Sequence, residues 1–160
     1  FLFSDTFTEN IRYGDPNAKK EKVDLSTNKA QISSHIETLP EKFDTLIGER
    51  GVQLSGGQRQ RLSVSRTLLF DSKVVIFDDS TSAIDSQTEK KIRDEMQSLG
   101  SGISLIVVAH RISSVMNLDE ILYLNNGRII ERGTHSELIK LKGRYCELYN
   151  MQINPEKVIN

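Results

Sequence analysis

The sequence predicts an α/β fold with a mainly parallel sheet, and three observations carry that reading. Two continuous apolar, β-branched runs, "KVVIFDDS" (Lys73 to Ser80) and "GISLIVVAH" (Gly102 to His110), have the composition of strands buried on both faces of a parallel sheet. Between them "SQTEKKIRDEMQSLG" (Ser86 to Gly100) has the pattern of a helix, with Ser86 as cap, Glu89 at the capping-box position and Gly100 as stop. A strand–helix–strand unit of this kind crosses over right-handed. The Asn126-Gly127 pair in "EILYLNNGRIIERG" then marks an antiparallel hairpin.

The first 72 residues read as helical. "DTFTENIRYG" (Asp5 to Gly14) predicts a short helix with Thr6 as cap, Glu9 three residues on and Gly14 as terminator. Pro16 suits a first helical turn, and Ala30, Ile32, Ile36 and Leu39 form an apolar stripe on a second helix stopped before Pro40. "KFDTLIGERG" (Lys42 to Gly51) has few periodic cues and reads as a loop. Ser55 opens a helix to about Phe70, with Leu62, Leu69 and Val64 or Leu68 turned inward. Near the C-terminus, "THSEL" (Thr134 to Leu138) is another capping box, and the tail after about Gln152 is expected to be loose.

Bulk properties narrow the class. The chain has 160 residues, 21 basic against 22 acidic side chains, and a net charge of −1, so no general attraction to nucleic acid or anionic lipid is implied. The longest apolar run is far below the roughly 18 residues of a membrane helix. The single cysteine, Cys146, precludes an internal disulfide and fits a reducing compartment. The chain begins at Phe1 in mid-pattern, without a methionine, and is expected to be a fragment.

Three stretches bear chemistry. "LSGGQ" (Leu54 to Gln58) puts two glycines at a helix start, although each weakens a helix by about 1 kcal/mol relative to alanine. A serine hydroxyl, free backbone N–H groups and the positive end of the helix dipole make an anion site, and bare Gly56 and Gly57 let a phosphate come close. A serine-capped helix after a flexible turn accounts for the same residues without a ligand. "VVIFDD" (Val74 to Asp79) places Asp78 and Asp79 at the carboxyl edge of the sheet, where two acids can hold a magnesium ion and orient a water, or else cap a helix and stay solvated. His110 ends the second strand at that edge and can hydrogen-bond a phosphate or water, or serve structure alone. His35 and His135 have only structural readings.

In order and spacing, these stretches resemble the nucleotide-binding domain of ATP-binding-cassette (ABC) transporters. "LSGGQ" is similar to the family's signature motif, "VVIFDD" to its Walker B strand, "SAID" (Ser82 to Asp85) to the D-loop, and His110 to the switch histidine. "GERG" (Gly48 to Gly51) resembles the X-loop of exporters, which implies that Glu49 touches the coupling helices of a transmembrane domain. The resemblance covers Phe1 to about Gln152. It implies a partial P-loop NTPase (RecA-like) core over about 73–152, preceded by an α-helical signature subdomain over about 1–72, with 153–160 a loose tail.

The resemblance further implies ATP and Mg2+ as ligands. Ser55, Gly56, Gly57 and Gln58 would contact an ATP held by a second nucleotide-binding domain; Ser82 and Asp85 would lie in the D-loop, Asp78 on magnesium, and Asp79 and His110 at the catalytic position. Partners implied are that second domain and the transmembrane domain of an exporter at the cytoplasmic face of the membrane, with no nucleic acid. No "GxxxxGK[ST]" occurs in the sequence, so the phosphate-cradling loop is missing and the fragment alone is expected to be inactive. Asp79 stands where the family's catalytic base is normally glutamate, which favours a heterodimeric exporter with one weak site. The alternative is a degenerate module that only donates its signature to a partner.

Overall fold

In the computed structural model, residues 2–48, 52–70, 72–78, 83–97 and 102–153 are described, and they divide into two compact units that meet in sequence between Ile106 and Val107. No helix among them is long and apolar enough to cross a membrane.

In the first unit, α1 (Phe7–Arg12) is capped by Thr6, whose hydroxyl accepts from the Glu9 N–H as its spacing predicts. The stripe expected on one helix is split between α2 (Lys20–Lys29) and α3 (Ser33–Glu37). The break falls at Gln31, in the left-handed region at φ 57°. It still leaves Ala30, Ile32 and Ile36 fully buried. Pro16 precedes α2 rather than opening it. The predicted loop after α3 contains a 3₁₀ turn at Lys42–Asp44 and isolated bridges from Leu46 to Thr6 and from Ile47 to Val52.

Helix α4 (Gly56–Leu69) is the hub of this unit, packing on both α1 and α2. Leu62, Val64 and Leu69 are buried in the core, while Leu68 is half-buried. Near its C-terminal end the Arg66 guanidinium donates from Nε to the Asn10 carbonyl (2.6 Å) and from Nη2 to Asn10 Oδ1 (2.6 Å). The same guanidinium lies over the Phe3 and Tyr13 rings, 5.3 and 5.5 Å from their centroids. Asn10 is fully buried, and its amide donates to the carbonyls of Phe3 and Thr6 while Oδ1 also accepts from the Phe3 N–H. One side chain thereby satisfies main-chain groups that burial would otherwise leave costly.

Strand β1 (Val74–Asp78) is followed by α5 (Ser86–Gln97) and β2 (Ser104–Val108), which lies beside β1 with the Ser104 N–H on the Lys73 carbonyl. The expectation of strands covered on both faces is not met within this chain. β1 alternates, with Val75 and Phe77 buried but Val74 and Ile76 exposed, and Ile106 and Val108 are exposed on β2. Among the described residues the β1–β2 sheet has only two strands, so a single face finds a covering layer.

The second unit holds the predicted hairpin, β3 (Ile121–Asn125) and β4 (Arg128–Gly133). Asn126 and Gly127 both adopt positive φ (47° and 72°), which a tight primed turn demands. Register runs from Ile121 opposite Gly133 to Tyr123 opposite Glu131, then slips so that Leu124 faces Ile129, leaving Ile130 as an extra residue in a bulge. Helix α6 (His135–Leu141) starts with the predicted capping box of Thr134 and Glu137. It ends at Lys142 in the left-handed conformation, and α7 (Arg144–Ile153) follows. The Glu131 carboxylate caps α7 from the strand, accepting from the Arg144 and Tyr145 N–H groups. Ile112, Ile121, Leu138 and Tyr145 form the core of this unit. Residues 154–160, where a loose tail was expected, lie outside the described residues.

Truncating Asn10 to alanine removes the Oδ1 that accepts from Arg66 Nη2 and from the Phe3 N–H, while Arg66 Nε keeps the main-chain carbonyl of residue 10, and is expected to cost about 1–3 kcal/mol. Denaturant unfolding of the full-length protein, compared with a surface control such as Lys29→Ala, reads this loss.

Candidate functional site

The glycine-rich helix start is held in a reciprocal cap. Ser55 Oγ accepts from the Gln58 N–H (3.2 Å), and Gln58 Oε1 accepts from the Ser55 N–H (2.7 Å). Gln58 thus folds back on its own helix through its side-chain oxygen. Arg59 does the same, donating Nη1 to the Leu54 carbonyl (2.5 Å). The Gly56 and Gly57 N–H groups have no intrahelical acceptor at these positions, and the dipole of a 14-residue helix lies behind them. The tip therefore offers two backbone donors and the Ser55 hydroxyl to an anion.

The two glycines are bare for different reasons. A Cβ on Gly57 would come within 2.8 Å of the Ala83 carbonyl oxygen, a main-chain atom that cannot swing aside. A Cβ on Gly56 would meet only the Ala83 Cβ, at 3.4 Å. Bareness at Gly57 is thus required by the chain's own packing, a reason that the sequence pattern did not reveal. The Ala83 N–H in turn donates to Gln60 Oε1 (2.9 Å). Gln60 escaped sequence reasoning, yet its position three and four residues past the glycines, on the same helical face, is a usable signal.

Asp78 ends β1 and is exposed. Among the described residues no group of three or more metal-ligating side chains gathers anywhere. A carboxylate at a strand end nevertheless fits magnesium, which binds through one or two carboxylates plus phosphates and water. Asp85 takes the capping role expected of Ser86: its Oδ1 accepts from the Thr88 N–H (2.9 Å), and Ser86 is already helical. That bond, with the Thr88 hydroxyl second, holds the Asp85 carboxyl below the ordinary aspartate range. Glu49, Asp79 and Ser82 lie outside the described residues.

In the second unit, His110 sits two residues past the end of β2, exposed, rather than on the strand itself. Its carbonyl accepts from Gln152 Nε2 (2.8 Å), while Gln152 Oε1 accepts from the Ile112 N–H (2.9 Å). Gln152 of α7 thereby fixes the turn that carries the imidazole, a long-range contact invisible to local pattern.

Comparison with known proteins places these features. The family model described as "ABC transporter" matches residues 2–82. The chain is 45% identical over 160 residues to the ABC transporter ATP-binding protein YknU of Bacillus subtilis, covering 100% of this chain and 27% of that protein. It is 42% identical over 154 residues to the ATP-dependent lipid A-core flippase of Idiomarina loihiensis, covering 96% and 26% respectively. Among solved structures, a bacterial Atm1-family ABC exporter with ATP bound superposes with a TM-score of 0.89 at 39% identity, over 95% of this chain and 27% of that one. The chain therefore spans about a quarter of the length of these relatives, and its fold is that of a partial P-loop NTPase.

Two measurements test this geometry. Gly57→Ala in the full-length protein is expected to cost about 1–3 kcal/mol through its clash with Ala83, and Gly56→Ala to be near neutral, by denaturant unfolding. Because folding lowers the Asp85 pKa, its cap contributes above the unfolded value of about 3.9 and fades as pH falls through the lower folded value. The melting-temperature deficit of Asp85→Ala is therefore expected at pH 7 and to narrow progressively below about pH 4.

Proposed function

Because the chain belongs to the ABC transporter family, we propose that it is the C-terminal part of the ATP-binding subunit of an exporter, coupling ATP binding and hydrolysis to efflux across a membrane. In this reading, residues 1–72 are the helical signature subdomain and 73–152 the latter part of the RecA-like core. The observation that carries it is the α4 tip, which leaves two backbone donors and a serine hydroxyl, with the helix dipole behind them, available to an anion.

The anion is the terminal phosphate of an ATP carried by a second nucleotide-binding domain. Ser55, Gly56 and Gly57 grip it, while the Gln58 oxygen holds Ser55 in place and leaves the Gln58 amide group for the ligand. Such contacts strengthen as water leaves the gap between domains. At the other ATP, the one bound to this domain itself, Asp78 would hold magnesium, which would supply charge neutralisation at the phosphates. Asp79 orients the attacking water, His110 hydrogen-bonds the phosphate side of the same reaction, and Ser82 and Asp85 lie in the D-loop. Glu49 contacts the coupling helices of the transmembrane domain, which places the module at the cytoplasmic face of the membrane.

Asp79 favours pairing with a different subunit. Its carboxylate is one methylene shorter than glutamate, and misplacement on the order of 1 Å costs about 100-fold in rate. A partner subunit would then hold the stronger site and receive an intact signature from this one. In the full-length protein, Asp79→Glu is expected to raise magnesium-dependent ATP turnover about tenfold or more. Phosphate release, measured with and without the partner subunit, checks this; unchanged turnover overturns the weak-site reading.

A further inference from the structure

The structure points to Gln60 as a positioning residue that locks the α4 tip to Ala83, just ahead of α5, and we propose that this lock sets the rate of the proposed hydrolysis at the site the tip completes. Resting on the proposed trans-phosphate role of the tip, the inference adds a residue outside the five-residue signature.

Two independent contacts join the tip to Ala83. The Ala83 N–H donates to Gln60 Oε1 at 2.9 Å, and the Ala83 carbonyl oxygen occupies the space over Gly57 that a side chain would fill. Both polar groups of one residue's main chain are thereby referred to α4. Two residues on, Asp85 caps α5 through the Thr88 N–H, and α5 packs on α2, which packs on α4. Ala83 is thus fastened on one side to the helix that would receive the phosphate and on the other to α5. Neither Gln60 nor Ala83 need touch the nucleotide. Gln60 acts by holding Ala83 against Gly57, and so fixing the donors at Gly56 and Gly57 where the partner's phosphate meets them.

The test uses the full-length transporter in membranes or detergent, with steady-state ATP hydrolysis and thermal melting read together. Gln60→Leu keeps size and helix propensity but removes the acceptor for Ala83; Gln60→Glu keeps an acceptor oxygen there. Gln60→Leu is expected to lower kcat at least tenfold with KM for ATP changed less than twofold, and Gln60→Glu to stay within twofold of the unaltered protein in both. A purely structural role for Gln60 would lower the melting temperature and the active fraction without this rescue. If Gln60→Leu is silent, or Leu and Glu are equally impaired, the proposal is overturned. Gly56→Asp runs in parallel: its Cβ has room beside Ala83 and its charge suits a helix start, but it repels a phosphate. Hydrolysis lost in Gly56→Asp at an unchanged melting temperature upholds the trans-phosphate reading. Hydrolysis retained there removes that reading and this inference together, whereas loss in Gly56→Asp with a silent Gln60→Leu removes the inference alone.

Discussion

The Arg66 guanidinium seated on Asn10 is the interaction on which the rest of the first unit depends. It joins α4 to α1 through charged hydrogen bonds, and it rests on the Phe3 and Tyr13 rings. Burial makes this arrangement costly to leave half-made, and it depresses the pKa of the guanidinium, yet the bonds to Asn10 engage a side chain that burial also deprives of water. With its C-terminal half fixed in this way, α4 has a defined axis. Its N-terminal half then delivers Ser55, Gly56 and Gly57 to one place instead of many.

Local chemistry explains how the delivered end is finished. The Ser55–Gln58 box satisfies two of the groups a helix start leaves open, and it leaves the two glycine donors to whatever arrives. A hydrogen-bonded side chain would compete for those donors, and a Cβ at position 57 would push against the Ala83 carbonyl. The bare tip thus answers two demands at once, one from inside the chain and one from a ligand.

What the sequence made legible was everything written at short range. The caps at Thr6, Ser55 and Thr134, the Asn126-Gly127 turn and the alternation of two strands around a helix each rest on residues within about four positions of each other. Ambiguity entered where neighbours compete for one job. Asp85 and Ser86 are both good caps, and the carboxylate took the place expected of the hydroxyl. Gln31 interrupted a helix whose apolar stripe stays buried on both sides of the break, so periodicity alone hid the interruption. One-sided covering of β1 could not be read from Val74 to Asp78, because a strand's composition does not say which layers meet it. Contacts that bridge distance, Gln60 to Ala83 and Gln152 to the turn at His110, depend on partners that local pattern does not name, even where spacing, as for Gln60, marks the face.

The bulge at Ile130 has a consequence for how this hairpin can vary in length. By absorbing one residue on β4, it lets Glu131 share a face with Tyr123 and reach the start of α7, while Leu124 and Ile129 turn to the opposite side. Excising that single residue would restore an even ladder between Glu131 and the turn, with Ile129 still opposite Leu124 and Arg128 still opposite Asn125. The hairpin can therefore shorten by one residue at position 130 with each paired side chain kept on its own face, whereas loss of any paired residue of β4 would move its neighbours to the other side.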